Sequence, residues 1–574
     1  MDRPQATWHS VAAGKRQAIL EAIPPRWILQ EQIPPAEKQP NVTDGYVQQF
    51  LTPREIQITE ADAVTITQHT TTGSWSALEV TEAFCHRAAI AHQLVNCLLE
   101  IFFDEALRSA RALDEYYAKH GKPLGPLHGL PVSLKDQFHV QGMETTIGYV
   151  GWIGTFEGRK LDRDERTHES ELVRELRNLG AVLFCKTSVP TTLMAGETMN
   201  NIIGYTWNPK NRHLSAGGSS GGEGALIALH GSPAGFGTDI GGSIRVPSAF
   251  NGIYGLRPSA GRMPYEGAAN TMDGQNTILS VVGPMATTAP SLKLLFKSVL
   301  QQEPWYYDPL VIELPWRDEV ELKIGRSLPN LTFAIMHHDG TVQPHPPIRR
   351  ALAWMDKLLV NQGHKVIEWK PPSHQTSQEI ATQVFHSDGG MDIKKHLALS
   401  GEEQLPECFL LPSDHAVAAE VADLNVRKRE YQKQYMDYWN STSAATGTGR
   451  PVDAFICPAC PSVAVRPGHF RYGAYTTFVN VLDYSSAVFP VTAADRIVDK
   501  ENKLDGFLGE MDKKIQQDYD CNLIHGAPVG LQIVGRRLEE EKVLTILEYF
   551  GRLLNESGSE SSVVIQEGDT VPSS

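Results

Sequence analysis

The chain has 574 residues, 41% hydrophobic and 21% charged, the balance of a globular enzyme with room for a large core. Its formal net charge of −15, with no dense Lys/Arg run, excludes a phosphate-backbone partner, because nucleic-acid binders present a basic face. Seven scattered cysteines, at 85, 97, 185, 408, 457, 460 and 521, exclude a disulfide scaffold and point to a reducing compartment.

Taken in chain order, residues 1–60 read as a helix over 8–23, ended by Pro24-Pro25, and a proline-rich arm to about Pro53. The N-terminus has no apolar core of signal-peptide length, and no run approaches 18 apolar residues. No membrane span is therefore expected, and the expected location is cytoplasmic. The N-x-S/T sequons at Asn41, Asn330, Asn440 and Asn555 then read as chance matches.

A single catalytic domain is expected over 61–555. Ser76-Ala77-Leu78-Glu79 is a capping box, opening a helix with Val80, Phe84, Ala88 and Ala91 on one face. Cys97 to Phe103, CLLEIFF, reads as a buried strand, and Asp104 as the cap of a helix that Gly121 stops. LPVSLK, Leu130 to Lys135, is the next strand. A helix over Glu171 to Leu179, stopped by Gly180, precedes strand AVLFC. This β-α-β rhythm predicts an α/β fold: one large domain whose central mixed, mainly parallel twisted sheet is covered by helices on both faces.

Ser215 to Pro258 holds two glycine-flanked serine sites, Gly217-Gly218-Ser219-Ser220-Gly221-Gly222 and Gly241-Gly242-Ser243, with an apolar helix over Ala225 to Leu229 between them. Glycine lets backbone N–H groups crowd a reacting atom where a Cβ would block approach. A serine in such a loop is placed for attack, with donors ready for the oxyanion that attack creates. Gly217 to Gly221 fits G-x-S-x-G formally, but the nucleophile elbow needs an apolar strand before it, and WNPKNRHLS is polar. A phosphate loop would need a Gly-Lys-Ser/Thr ending. A dinucleotide fingerprint from Gly235 fails because Ile240 sits where its third glycine belongs. Lys135, at the end of an apolar strand, could serve as a base if burial depressed its amine from a pKa near ~10.4, or could simply pair with Asp136.

Further on, about 291–449 reads as a looser insert. Within it FAIM (333–336), a helix over 348–361 and KVIEW (365–369) make a β-α-β unit. His337-His338-Asp339 reads as a solvated turn, 440–450 as a flexible loop, and 556–574 as a disordered tail. Cys457-Pro-Ala-Cys460 has no second pair at zinc-ribbon distance and reads as a buried strand end.

GLPVSLKD, GGSSGGEGA and GTDIGGSIRVPSAFNGIYGLRPS, the core motifs within 129–258, together resemble the amidase signature family of hydrolases. The likeness extends from about Trp8 to Leu554 through HDGTVQPHPP, FRYGAY and HGAPVGLQIVGRR. It is nearest the fungal acetamidases and more distant from fatty acid amide hydrolase. The resemblance implies a Ser–cis-Ser–Lys triad: Ser243 as nucleophile, Ser219 as the bridging cis-serine and Lys135 as base. It places the oxyanion hole on the backbone N–H groups of Ile240, Gly241, Gly242 and Ser243. It also places an acyl-pocket segment on Leu193 to Glu197, with Leu193 against the substrate. Asp239 and Arg245 are expected to pair structurally around the nucleophile.

The implied activity is hydrolysis of a small aliphatic or aryl amide to acid and ammonia or amine, without metal or organic cofactor. The partners implied are the amide and, at most, a second copy of the chain as a homodimer. The alternative is a subunit of an amidotransferase, which would work only within a complex.

Overall fold

The computed structural model of the chain describes residues 7–159, 167–408, 414–500, 502, 504 and 506–566. Its strands are β1 (Leu98–Ile101), β2 (Pro131–Lys135), β3 (Val182–Thr187), β4 (Met199–Asn200), β5 (Gly204–Tyr205), β6 (Ala234–Asp239), β7 (Tyr254–Arg257), β8 (Val281–Ala286), β9 (Thr332–Ile335), β10 (Lys365–Glu368), β11 (Ala454–Pro458), β12 (Ser486–Ala493) and β13 (Pro528–Val534). All but the short β4–β5 pair join one eleven-stranded sheet, in the order β1-β3-β2-β6-β8-β7-β12-β13-β11-β9-β10.

The architecture is the expected α/β one, a single large body with a mixed sheet flanked by helices. The balance within the sheet is not mainly parallel, however. Parallel pairing is confined to β3-β2-β6 and to β11-β9-β10. Between these patches, and at β1, neighbours run antiparallel. The reason is local: β7 and β8 follow one another without a crossover helix, so they pair as antiparallel neighbours.

The parallel patch around β2 positions the site. Ser133 of β2 lies opposite Gly235 of β6, and Val132 of β2 opposite Leu183 of β3. Three adjacent strands therefore end at the same edge of the sheet and deliver Lys135, the loop after Asp239, and the segment after Thr187 to one place. Ligand sites of open α/β sheets form outside such carboxyl ends.

Several local expectations are corrected. The helix Phe103–His120 is capped by Phe102, and Asp104 lies in its first turn. At Ser76 the capping bond to the Glu79 N–H forms, but the Glu79 carboxylate turns away to Arg54. The looser insert is largely helical, with the expected β9-helix-β10 unit at its centre. Residues 440–450 are no flexible loop: the helix Ala418–Ser441 runs into a short turn, Ser443–Thr446, and the buried Trp439 indole donates to the Val452 carbonyl at 2.9 Å. Asp339 is buried, accepting from Tyr472 Oη at 2.6 Å and from the Thr341 and Val342 N–H groups. The helix Glu540–Gln566 continues through the first part of the expected disordered tail, whose remainder, 567–574, lies outside the described residues. The N-terminal segment packs into the core through Ala12, Ile19, Trp27 and Val47. Its Lys15 pairs with Glu100 of β1 and, at 2.6 Å, with Glu144.

Candidate active site

All five residues of β2 are buried, and Lys135 at its end is fully so. Asp136 does not neutralise it. Asp136 is the first residue of the turn after β2, and its carboxylate pairs instead with Lys186 of β3 at 2.7 Å. The Lys135 amine meets hydroxyls: Nζ lies 2.7 Å from Ser219 Oγ and 2.7 Å from Thr238 Oγ1. Burial strips the ammonium of its hydration and pushes its pKa down to about 7, against the weaker opposing pull of Asp239 and Glu223.

The Thr238 hydroxyl donates to Gln137 Oε1 at 2.7 Å, and the Gln137 amide is fixed by donating Nε2 to Tyr265 Oη and Asn270 Oδ1. With its proton committed to Gln137, Thr238 can only accept from Lys135. In the resting site the Lys135 amine donates to both hydroxyls, and a neutral amine there would keep one lone pair beside its two N–H bonds.

The Gly218–Ser219 peptide is cis. Thr198 fastens this loop from both sides, donating to the Gly217 carbonyl at 2.8 Å and accepting from the Gly221 N–H at 3.2 Å. A side chain at Gly218 would strike the Ala195 carbonyl and Glu197 backbone at 2.8–2.9 Å, so glycine is required there by close approach. The helix after the loop begins at Gly221, four residues earlier than its apolar stretch alone implies. The Ser220 N–H donates to the Ser243 carbonyl at 3.1 Å and ties the two serine loops together.

Asp239 organises the second loop. Its buried carboxylate accepts from the N–H groups of Gly242 at 2.9 Å and Ile244 at 3.2 Å, from the Arg245 guanidinium, and from Asn480. Burial alone would raise its pKa, but Arg245 and Asn480 outweigh that and hold it well below the usual carboxylate range. The expected Asp239–Arg245 pair is present, fully buried, at 2.9 Å. One of the four expected oxyanion donors is thereby altered: the Gly242 N–H belongs to Asp239. Among the described residues the N–H groups of Ile240, Gly241 and Ser243 carry no partner. Gly242 contributes shape, since its φ of +130° leaves no room for a Cβ, which would meet Thr476 Oγ1 at 2.3 Å.

Ser219, Ser243, Thr238, Gln137, Ile240 and Leu193 all line one small cavity of about 30 Å³. No hydrogen bond joins the two serine hydroxyls across it. Ser243 and Leu193 also line a chamber of about 400 Å³ whose wall mixes Met194, Val246, Phe385 and Phe470 with Gln378, His386, Gln404 and Arg471. Met194 and Ile240 further border a more polar chamber of about 630 Å³ that includes Tyr265 and Asn270. Thr192 and Leu193 both adopt left-handed backbone, φ +78° and +66°, a strained arrangement typical of functional loops. It is held by the Thr192 hydroxyl, which contacts Cys408 Sγ at 3.2 Å and accepts from the Met194 N–H at 3.1 Å.

Sequence reasoning missed Thr238, Gln137 and Glu223. The first two stand within the motifs, one residue before Asp239 and two after Lys135, but only the sheet brings them together. Glu223 is buried with one oxygen accepting from Ser133 at 2.6 Å. Burial pushes its pKa up to about 8, against the pull of Ser133 and Lys135. Cys457 and Cys460 are buried free thiols, and among the described residues no three His, Cys, Asp or Glu side chains gather at metal-binding spacing.

A family model described as Amidase matches residues 79–544. The chain is similar to the acetamidase of Aspergillus oryzae, 46% identical over 96% of this chain and 99% of that one. It is likewise similar to the acetamidase of Emericella nidulans, 45% identical with the same coverage. Among solved structures, fatty acid amide hydrolase superposes with a TM-score of 0.86 at 34% identity, covering 95% of both chains.

Proposed function

Since this chain belongs to the Amidase family and is an amide-hydrolysing enzyme, we propose that it cleaves small aliphatic or aryl amides through an acyl-enzyme on Ser243, with Ser219 and Lys135 as its proton relay. The observation that supports this most strongly is the buried Lys135 amine, 2.7 Å from Ser219 Oγ in the cavity that Ser243 also lines.

Neutral Lys135 accepts the Ser219 proton through its one lone pair, while its N–H bonds are steadied by Thr238. Ser219 in turn accepts the Ser243 proton, and Ser243 Oγ attacks the amide carbonyl. A hydroxyl can both give and take a proton, which is what the middle position requires. The serine–serine hydrogen bond is a contact that forms when substrate fills the cavity, since catalytic hydrogen bonds in empty sites are commonly long.

The carbonyl oxygen, now negative, is received by the N–H groups of Ile240, Gly241 and Ser243. Removing one such donor in other hydrolases costs on the order of 10²–10³ in rate. The relay then runs backward. Lys135 returns the proton through Ser219 to the departing nitrogen, the C–N bond breaks and the amine leaves neutral. Water, deprotonated along the same path, attacks the acyl-enzyme and releases the acid. The relatives named acetamidase support a short-acyl primary amide as substrate.

The test is ammonia release from acetamide and benzamide by the purified single chain, with fluorophosphonate labelling of Ser243. Labelling of wild type but not Ser243→Ala is expected. Turnover that survives in Ser243→Ala would overturn the assignment.

A further inference from the structure

The chamber beside Ser243 is walled at one point by a residue far away in sequence. Phe470 packs on the bare backbone of Gly196, where an added Cβ would meet its ring carbons at 2.2 and 2.3 Å. The contact is fastened by Glu197. One carboxylate oxygen of Glu197 accepts from the Phe470 N–H at 2.9 Å; the other accepts from the Gly468 N–H at 3.1 Å and the Tyr205 hydroxyl at 2.5 Å. Residues 195–197 press on Gly218 from their other side. The same three residues thus touch the Ser219 loop on one flank and the Phe470 wall on the other.

The chamber they help define encloses about 400 Å³. That is the range of pockets that hold drug-sized ligands. A two-carbon acyl group on Ser243 would occupy only a small part of that volume.

We propose that Phe470, clamped onto Gly196 by Glu197, is a specificity-determining residue, and that the acyl groups this site selects are medium-chain or aryl rather than acetyl. This rests on the amide-hydrolase reading above, and replaces its short-acyl substrate with a longer or aryl one. Phe470 sets the length and width of the chamber. Glu197 is a positioning residue that acts through it.

The experiment measures kcat/KM for acetamide, butanamide, hexanamide and benzamide with wild type, Phe470→Ala and Gly196→Ala. In parallel, the same amides are titrated onto Ser243→Ala, which reads the chamber without turnover. For Ser243→Ala, affinity should rise about fourfold for each methylene buried. In wild type, hexanamide and benzamide should exceed acetamide by at least tenfold. Phe470→Ala and Gly196→Ala, which disturb one contact from opposite partners, should both change the acyl order. Glu197→Gln should raise KM for hexanamide several-fold while kcat changes less than twofold.

Equal affinity across the series, acetamide as the best wild-type substrate, or an acyl order unmoved by both wall variants would overturn the proposal. An equal fall in kcat for acetamide and hexanamide would overturn the role of Glu197. If Ser243→Ala binds the series in rising order yet wild type hydrolyses none of it, the hydrolytic reading falls and the chamber assignment stands.

Discussion

Lys135 and Lys186 lie one register step apart near the ends of adjacent parallel strands β2 and β3, both fully buried, in environments of opposite kind. Lys186 has a carboxylate at 2.7 Å, a hydroxyl at 2.7 Å and a carbonyl at 2.6 Å, the partners an ammonium needs. Lys135 has two hydroxyls and no carboxylate in contact. The same side chain, at the same depth, meets a carboxylate in one strand and only hydroxyls in the next, which is why we propose Lys135 and not Lys186 as the base. Burial is common to both, and the partner decides the role. The turn that begins at Asp136 makes this possible, because its carboxylate goes to Lys186 rather than to its own neighbour.

The largest effect expected is at the far end of the relay. Ser243→Ala should lower kcat on the order of 10⁴-fold or more, as nucleophile removal does in other serine hydrolases, with no change in melting temperature. Next, the two lysines should separate cleanly. Lys135→Met should lower kcat/KM at least 10³-fold while leaving melting unchanged or raised, because a buried amine without a counter-ion is replaced by an apolar chain. Lys186→Met should do the reverse. It leaves Asp136 buried without its partner, a loss of about 3–5 kcal/mol, and should appear as unfolding at lower temperature. Calorimetry and ammonia release on the two variants test the contrast; equal behaviour of the pair would end it.

A smaller effect is expected at the residue that steadies the amine. Thr238→Val removes one acceptor for the Lys135 N–H, and kcat should fall about tenfold, less than the 10²–10⁴ that a positioned general base contributes in all.

A further effect, read in the folding equilibrium instead of in the rate, is in stability against pH. The folded-state pKa of Lys135 lies near 7 and the unfolded one near 10.5. Between these values the unfolded chain binds the proton that the folded chain has shed, so stability rises with pH through this window. Denaturant titrations from pH 7 to 10 should show that rise in wild type and a smaller one in Lys135→Met.

Much of the site was legible because its chemistry is local: glycines around Ser219 and Ser243, and one lysine closing an apolar strand. The resemblance in those motifs supplied the expected roles. What could not be read depends on pairing across the sheet. Nothing in KDQF says that Gln137 will meet Thr238 about a hundred residues later, or that Asp136 will meet Lys186. Phe470 reaches Gly196 from a loop no periodicity marks. The left-handed backbone at Thr192 and Leu193 contradicts the local preference of a β-branched residue, and only the surrounding contacts impose it. The sheet's antiparallel centre was hidden for a similar reason, since a β-α-β rhythm over its flanks says little about the long helix-free link, 258–280, between β7 and β8.

The central claim is that uncharged Lys135 starts the proton transfer that makes Ser243 a nucleophile. It is tested most directly by the pre-steady-state rate of Ser243 acylation as a function of pH, in wild type and in Lys135→Met. The account predicts a single ionisation near pH 7 in wild type, with acylation faster above it, and a slow rate without that step in Lys135→Met. A flat wild-type profile, or the same step surviving in Lys135→Met, would contradict it.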